Sequence, residues 1–522
     1  MSKKLLKSGA IVSIMTFVSR ILGLVRDVVI ANVMGAGVAA DVFFFANKIP
    51  NFLRRLFAEG AFAQAFVPVL AEVQNENDQQ SLRLFIARVA GTLGVIVTLV
   101  TILGVIGSPI LVALFGTGWF WDYLNDGEQA DKFVMASAML KITFPYLWFV
   151  TLVGLSGAIL NTLNKFAVAA FTPVLLNVVI IASVIYLSPY LEAPAFALAW
   201  GVFLGGLVQL LFQLPFLWRA GVLVKPRWGW KDEKVTKVRT LIIPALFGVS
   251  VGQINLLLDT VIASMLVTGS ISWLYYSDRL MEFPLGLFGV AIATVILPTL
   301  SKNFVKNDQA QFQNNMDWAL RMVMLLGVPA AVGLGLLAEE LLLVIFQRGE
   351  FTNETAYLAS LSLLAYAFGL LNFMLVKVLA PGFFSRQDTK TPVRFAIWSM
   401  ISNMVFNIIW VLILGYDYGY IGLAIATAMS SFVNVALLYQ RLHKDGVYRI
   451  SRYSALFIVR IAIAVCAMAF VVIYLNKSQA DWYAWQFEQR SIHLALLLGA
   501  AMLTYFTVLV TLGLRPRHLK SS

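Results

Sequence analysis

The chain has 522 residues, 60% of them hydrophobic and only 13% charged, with a mean hydropathy of +0.82. Soluble domains carry about 25% charged residues, so a water-soluble fold is excluded. The net charge of +12 does not mark a nucleic-acid surface either, because lysine and arginine gather in short loops between apolar runs, where the positive-inside rule places them.

In chain order, the basic start (Lys3, Lys4, Lys7) leads into an apolar run with no small-residue cleavage site after it, which reads as a retained first helix. Apolar runs long enough to cross a bilayer then recur to the end. Proline, glycine and charge divide them into about fourteen predicted spans: 9–34, 41–70, 82–114, 132–160, 167–188, 195–218, 238–266, 271–300, 315–345, 355–380, 393–414, 418–441, 454–475 and 491–513. The fold class predicted is an all-α polytopic membrane protein of 14 transmembrane helices, with no appended soluble module. Loop charge supports the count. The loop at 219–239 holds Arg219, Lys225, Arg227, Lys231, Lys234, Lys237 and Arg239, and later even-numbered loops are also basic. Odd-numbered loops are acidic (Asp122, Asp126, Glu128, Asp131; Glu339, Glu340, Glu350, Glu354), so both termini are expected in the cytoplasm; the loop at 71–83 fits this pattern poorly. Trp119, Trp121, Tyr123, Trp228 and Trp230 read as interfacial belt residues. Cys466, the one cysteine, reads as a small apolar group packed inside helix 13, and His443, His493 and His518 are scattered and form no metal cluster.

Self-comparison gives an internal repeat. "DVVIAN" at 27–32 matches "DTVIAS" at 259–264, and "FFFANKI" at 43–49 matches "LYYSDRL" at 274–280. "FVPVL" at 66–70 matches "ILPTL" at 296–300, "FTPV" at 171–174 matches "KTPV" at 390–393, and the segment at 196–214 matches that at 423–442. Five matches in one order, at offsets of 219 to 232, predict two six-helix pseudo-symmetric halves plus two extra C-terminal helices. The halves are 1–219 and 238–443, joined by a cytoplasmic linker at 220–237; 444–522 carries helices 13 and 14 and the tail. Repeat transporters of this kind bind substrate between their halves, near the midplane.

Ionisable residues inside spans carry the functional signal, since each costs about 2.5–3.5 kcal/mol at a helix centre. Helix 1 holds Ser19, Arg20, Arg26 and Asp27, with Arg20, Gly23 and Asp27 within about 60° of one another. Helix 2 holds Asp41, Lys48, Asn51, Arg54, Arg55 and Glu59, and Pro50 is expected to kink it. Helix 8 adds Asp278, Arg279 and Glu282. Six basic and five acidic groups nearly balance, so one reading is internal salt bridging, such as Asp27 with Arg20. The other is a hydrated cavity for a phosphorylated headgroup, because the planar guanidinium fork bonds phosphate bidentately. A second candidate site joins Asp259 on helix 7 to Asn403 and Asn407 on helix 11 and Thr427 on helix 12. These are all-oxygen donors that suit sodium, although Asp259 could instead be protonated and bonded to Asn255 or Asn407.

"SRILGLVRD" at 19–27, "DVFFFANKIPNFLRRLFAEGAFAQAFVPVL" at 41–70, "WLYYSDRLMEFPLGLFGVAIATVILPTLSK" at 273–302 and "VKVLAPGFFSRQDTKTPV" at 376–393 resemble the MurJ (MviN) family of lipid II flippases, in the multidrug/oligosaccharidyl-lipid/polysaccharide exporter superfamily. The similarity covers essentially the whole chain. It implies a monomeric, multi-pass bacterial inner-membrane transporter that is not an enzyme. Such a protein moves lipid II (undecaprenyl pyrophosphate carrying the disaccharide-pentapeptide) to the periplasmic leaflet by alternating access, for cell wall biosynthesis. It needs no cofactor beyond membrane potential and a sodium ion or proton. The resemblance assigns substrate binding to Arg20, Arg26, Arg54 and Arg279, supported by Ser19, Asp41, Lys48, Asn51, Glu59 and Asp278, and gives helices 13 and 14 to the lipid tail. Some members place a carboxylate on helix 7 with polar groups on helices 11 and 12; here the helix 11 pair is two amides. The alternatives are an exporter of another lipid-linked oligosaccharide, or an ion-coupled small-molecule antiporter of the same superfamily. Cationic-drug exporters would want acidic cavities, against the four arginines. An intramembrane enzyme would want catalytic acids or histidine on a large outer loop, and a scaffold would have no reason to bury eleven charges.

Overall fold

The computed structural model describes residues 3–55, 61–76, 78–191 and 193–515, without side chains at 3–11, 61, 64 and 243–252. Regular structure among the described residues is helical throughout, with no strand. The chain forms two compact units, Met1–Ile271 and Ser272–Ser522.

The first unit contains α1 (Lys3–Met34), α2 (Val38–Arg54), α3 (Ala61–Asn75), α4 (Gln79–Ile106), α5 (Ser108–Phe115), α6 (Thr117–Leu124), α7 (Ala130–Thr143), α8 (Tyr146–Thr162), α9 (Phe166–Tyr186), α10 (Phe196–Arg219) and α11 (Glu233–Ala263). α12 (Ser270–Pro284) leads into the second unit. There a π-helical turn at Leu285–Gly289 precedes α13 (Val290–Val305), α14 (Gln309–Leu336), α15 (Ala338–Phe346), α16 (Asn353–Leu379), α17 (Pro381–Phe384), α18 (Lys390–Lys444), α19 (Arg452–Leu475), α20 (Gln479–Ala484) and α21 (Phe487–Thr511).

Ten of the described helical segments are long and apolar enough to cross a membrane. α1, α2, α3 and α11 are not among them, and each includes or adjoins residues outside the described set. α18 holds two predicted spans. Its backbone breaks at Gly415 (φ 74°, ψ −167°), a conformation open to glycine and strained for other residues. Of the predicted span 41–70 the described residues form α2 and α3, and Pro50 lies within α2, which continues past it to Arg54.

Polar caps mark the helix starts. Asp78 accepts from the amides of Gln80 and Ser81 at the head of α4, and the Ser81 hydroxyl, together with those amides, holds its carboxyl below the usual carboxylate range. Asp232, Thr352 and Ser451 do the same for α11, α16 and α19. The first unit's core stacks Phe66 on Phe62 and Phe85, at ring separations of 5.1 and 5.8 Å, against Leu155, Ile159 and Leu217. In the second, Tyr276 packs on Phe346 and Phe351, and Trp273 on Tyr420.

Two sequence expectations are corrected. Trp119 is fully buried, 4.8 Å from the Phe45 ring, because α6 folds back onto the bundle; Trp121 and Tyr123 stay exposed. Cys466 is exposed on α19 instead of packed inside it.

The basic linker is strapped to α4. Arg227 donates its amide to the Ala87 carbonyl (2.8 Å) and Gly229 to Thr92 Oγ1 (3.1 Å). Gly91 makes this approach possible, since a Cβ there would lie 2.2 Å from the Arg227 carbonyl oxygen. Gly91→Leu is expected to cost about 1–3 kcal/mol by overpacking and to lower the thermal unfolding temperature of purified protein. Gly94→Leu, where a Cβ meets open space, should cost little, and equal shifts would contradict the strap.

Candidate functional site

α1 brings the first set of polar groups against α9. Arg26 directs Nε and Nη2 to Asp27 Oδ1 (2.9 and 2.7 Å) and Nη1 to Asn177 Oδ1 (3.1 Å). Asn177 returns a bond from Nδ2 to the Ser19 carbonyl (3.2 Å), so one amide from α9 braces two turns of α1. Asp27 is fully buried and Arg20 is exposed. The ion pair therefore joins Arg26 to Asp27, and not Arg20 to Asp27. The long arginine side chain folds back along the helix to its neighbour.

α2 lays its polar face along α11. Lys48 Nζ donates to Thr260 Oγ1 (2.9 Å) and Arg55 Nη1 to Gln253 Oε1 (3.1 Å). Arg54 Nε donates to Asn51 Oδ1 (3.1 Å), half-buried on the same helix. Glu59 lies outside the described residues.

At the other end of α2, Asp41 sits in a buried network. Its Oδ2 accepts from the Gly269 amide (2.7 Å) and lies 3.4 Å from Lys132 Nζ, both side chains being almost wholly enclosed. Lys132 also donates to Gln129 Oε1 (3.0 Å) and lies 5.4 Å from the Trp119 ring centroid. Gln129 Nε2 donates to the Leu266 carbonyl (3.1 Å). The turn after α11 is thereby fixed to α2 and α7.

In the second unit Asp278 and Arg279 are half-buried on α12, and Arg279 Nη1 lies 3.3 Å from Glu282 Oε2. Asn403 and Asn407 are fully buried on α18 and come together with Thr427: Asn407 Nδ2 donates to Asn403 Oδ1 (3.0 Å), and Asn403 Nδ2 to Thr427 Oγ1 (3.4 Å). Thr427 donates to the Leu423 carbonyl (2.9 Å). Asp259 belongs to the first unit. No cluster of three or more His, Cys, Asp or Glu suited to a metal exists among the described residues.

Sequence reasoning passed over Lys132, Gln129, Asn177, Gln253 and Thr260. A lone amide or hydroxyl in an apolar helix is a weak signal. Lys132 stands at the edge of a predicted span, where a lysine is ordinary.

Removing one partner of a buried pair costs about 3–5 kcal/mol, while an exposed pair is worth about 0–1 kcal/mol. Lys132→Met should thus lower the unfolding temperature of the purified protein far more than Lys234→Met, which breaks only the exposed pair with Glu76 (2.7 Å). Equal shifts would deny the Asp41–Lys132 pair its structural role.

The family model "Lipid II flippase MurJ" matches residues 30–492. A Vibrio cholerae protein named "Probable lipid II flippase MurJ" is 61% identical over 521 residues, covering 100% of this chain and 98% of its own length. A Burkholderia cenocepacia "Lipid II flippase MurJ" is 36% identical, with 98% of each chain covered. Among solved structures, "Lipid II flippase MurJ, inward closed conformation" superposes with a TM-score of 0.79 at 27% identity, covering 95% of this chain and 97% of that one. An inward-facing multidrug transporter of the MATE family shares the fold, with a TM-score of 0.68 at 12% identity over 82% of this chain and 95% of its own.

Proposed function

This chain belongs to the lipid II flippase MurJ family, and on that premise we propose that Arg20, Arg26, Arg54 and Arg279 grip the diphosphate of its substrate. The chain is a transporter and not an enzyme; it flips lipid II across the inner membrane as a multi-pass protein, for cell wall biosynthesis. The observation that carries the site assignment is the bracing of Arg26. Its guanidinium is held by Asp27 and Asn177 at only 18% side-chain exposure. Held so, the guanidinium loses little freedom on binding an anionic ligand. Ser19, Asp41, Lys48, Asn51, Glu59 and Asp278 serve as supporting positions. Both termini face the cytoplasm, α19 and α21 hold the lipid tail, and the protein works as a monomer by alternating access.

As sole copy in cells, Ala at Arg20, Arg26, Arg54 or Arg279 should abolish growth while the protein still inserts at normal abundance. Lys at some of them should retain part of the function, because it keeps charge and loses the bidentate fork. Normal growth of Arg26→Ala and Arg54→Ala cells would refute the assignment. Loss of the protein itself would mark a structural role instead.

Coupling to sodium or a proton, with membrane potential, completes the proposal. Asn403, Asn407 and Thr427 supply adjoining side-chain oxygens, a donor set that fits a hard cation, and Asp259 would add the carboxylate. A ligand that binds only the folded state stabilises it by mass action. Sodium at fixed ionic strength should therefore raise the unfolding temperature of purified protein, and Asp259→Asn or Thr427→Ala should abolish the effect. Identical curves in sodium and potassium would leave the proton as the coupling ion.

A further inference from the structure

In the second unit two charges placed to meet do not. Asp317 and Arg321 stand four residues apart on α14, the spacing at which a carboxylate and a guanidinium pair on one helix face. Asp317 instead accepts from the Tyr448 hydroxyl (2.7 Å), and no ion pair joins it to Arg321. The Arg321 guanidinium lies 5.0 Å from the centroid of the Tyr453 ring on α19, and its Nε is buried without a hydrogen-bond partner. Among the described residues no acceptor meets any of its N–H groups.

Tyr453 stands seven residues before Arg460, so the two side chains leave α19 within about 20° of each other. Arg460 is half-buried, and among the described residues it too meets no acceptor. It stands about 12 Å along the helix from Arg452, inside an apolar span where hydrocarbon does not solvate charge.

An apolar stripe borders this edge of α19. Leu456, Val459, Ile463 and Phe470 recur at helical spacing and are exposed, and Leu456 and Ile463 adjoin Arg460 one turn before and after it. Charge toward the N-terminal end of the helix and bare apolar surface beyond it complement an amphiphile, a phosphate on the end of a long chain. The arginine fork bonds phosphate bidentately, and the Tyr453 ring steadies the Arg321 plane before a ligand arrives.

We propose that Arg321 and Arg460 form a seat for a lipid phosphate whose chain lies along the apolar stripe of α19. The phosphate belongs to the substrate or to an anionic phospholipid of the bilayer, and either source makes the same bonds. This rests on the reading of α19 and α21 as the helices that hold a lipid tail. It adds a phosphate ligand set that the four headgroup arginines do not include.

The test titrates purified full-length protein in detergent with lipid II, with dioleoylphosphatidylglycerol and, as the phosphate-free control, with dioleoylglycerol. Thermal unfolding of the ligand-free samples is followed in parallel. Arg321→Gln and Arg460→Gln should each weaken binding of a phosphate lipid about tenfold and leave dioleoylglycerol binding unchanged. Arg460→Lys, which keeps the charge without the fork, should lose about threefold. Loss confined to lipid II supports the seat with the substrate in it, and loss of phosphatidylglycerol binding supports it with a bilayer lipid. Unchanged affinity for both phosphate lipids overturns the proposal, whatever the unfolding temperature does. If Arg321→Gln fails to fold, the two Arg460 variants decide the question alone. Ile463→Ala and Phe470→Ala separate the seat from the stripe. If they weaken all three lipids while the arginine variants weaken none, the seat alone fails. If they weaken none while the arginine variants still lose the phosphate lipids, the tail reading fails and the seat stands.

Discussion

Hydrocarbon does not solvate charge, and the arrangement of this molecule follows from that constraint. Each ionised group inside a span costs several kcal/mol unless another group meets it. In the first unit the meetings are visible one by one: Arg26 with Asp27 and Asn177, Lys48 with Thr260, Arg55 with Gln253, and Asp41 with Gly269 and Lys132. Almost every partner comes from another helix. The polar faces of α1 and α2 therefore do more than carry a site, because satisfying them dictates which helices stand beside them. α9 must offer an amide to α1, and α11 must offer acceptors to α2.

Two kinds of satisfaction follow, with different consequences. A buried ion pair such as Asp41–Lys132 is costly to assemble and costlier to leave half-made. The turn at Leu266–Gly269 is accordingly fixed by three side chains, Asp41, Gln129 and Lys132, whose four hydrogen bonds depend on one another. Arg55 on the Gln253 amide oxygen is the other kind, a charge met by a neutral group. The outer surfaces of the unit show a third and weaker kind: Lys234 with Glu76 and Lys237 with Glu72, exposed pairs that contribute little.

Composition made the class of fold legible, because 13% charge and recurrent apolar runs admit no soluble alternative. The polar faces of α1 and α2 were legible for the same reason, as charge in a span stands out against its background. Their partners were not. Asn177, Gln253 and Thr260 are uncharged, and a single amide in an apolar helix looks like tolerated polarity until the opposite helix is known. The seven-residue spacing common to Lys48–Arg55 and Gln253–Thr260 lay in the sequence, but it acquires meaning only once the two helices are seen to run antiparallel. Helix ends were misjudged where the chain doubles back. Trp119 belongs to a short helix folded onto the bundle, and periodicity cannot separate that from a belt residue at the interface. Local backbone form adds what residue identity could not. Asn164 and Gln387 are both left-handed (φ 61° each), as are Gly221 and Gly446 (φ 70° and 68°), at offsets close to those of the sequence matches.

α19 and α21 are fastened to the second unit at three levels. Beyond the α18 end, Tyr448 donates its hydroxyl to Asp317 on α14 (2.7 Å), and burial together with that carboxylate pushes the phenol far above its ordinary value. Within the span, Tyr505 on α21 donates to the Leu325 carbonyl (2.7 Å). At the opposite end Asn476 donates to Glu340 on α15 (2.6 Å), Tyr483 and Gln479 bond Glu339, and Arg490 reaches Gln347 (2.5 Å). Burial raises the Glu340 carboxyl above the usual range, and Asn476 opposes that shift. Apolar packing alone would let two helices in lipid slide or rotate against their neighbour, since lipid tails compete equally for an apolar face. Directional bonds at both ends and the middle forbid it. The pair is therefore an integral wall of the second unit, and a lipid tail lying along α19 and α21 would be carried by the same body that carries Arg279.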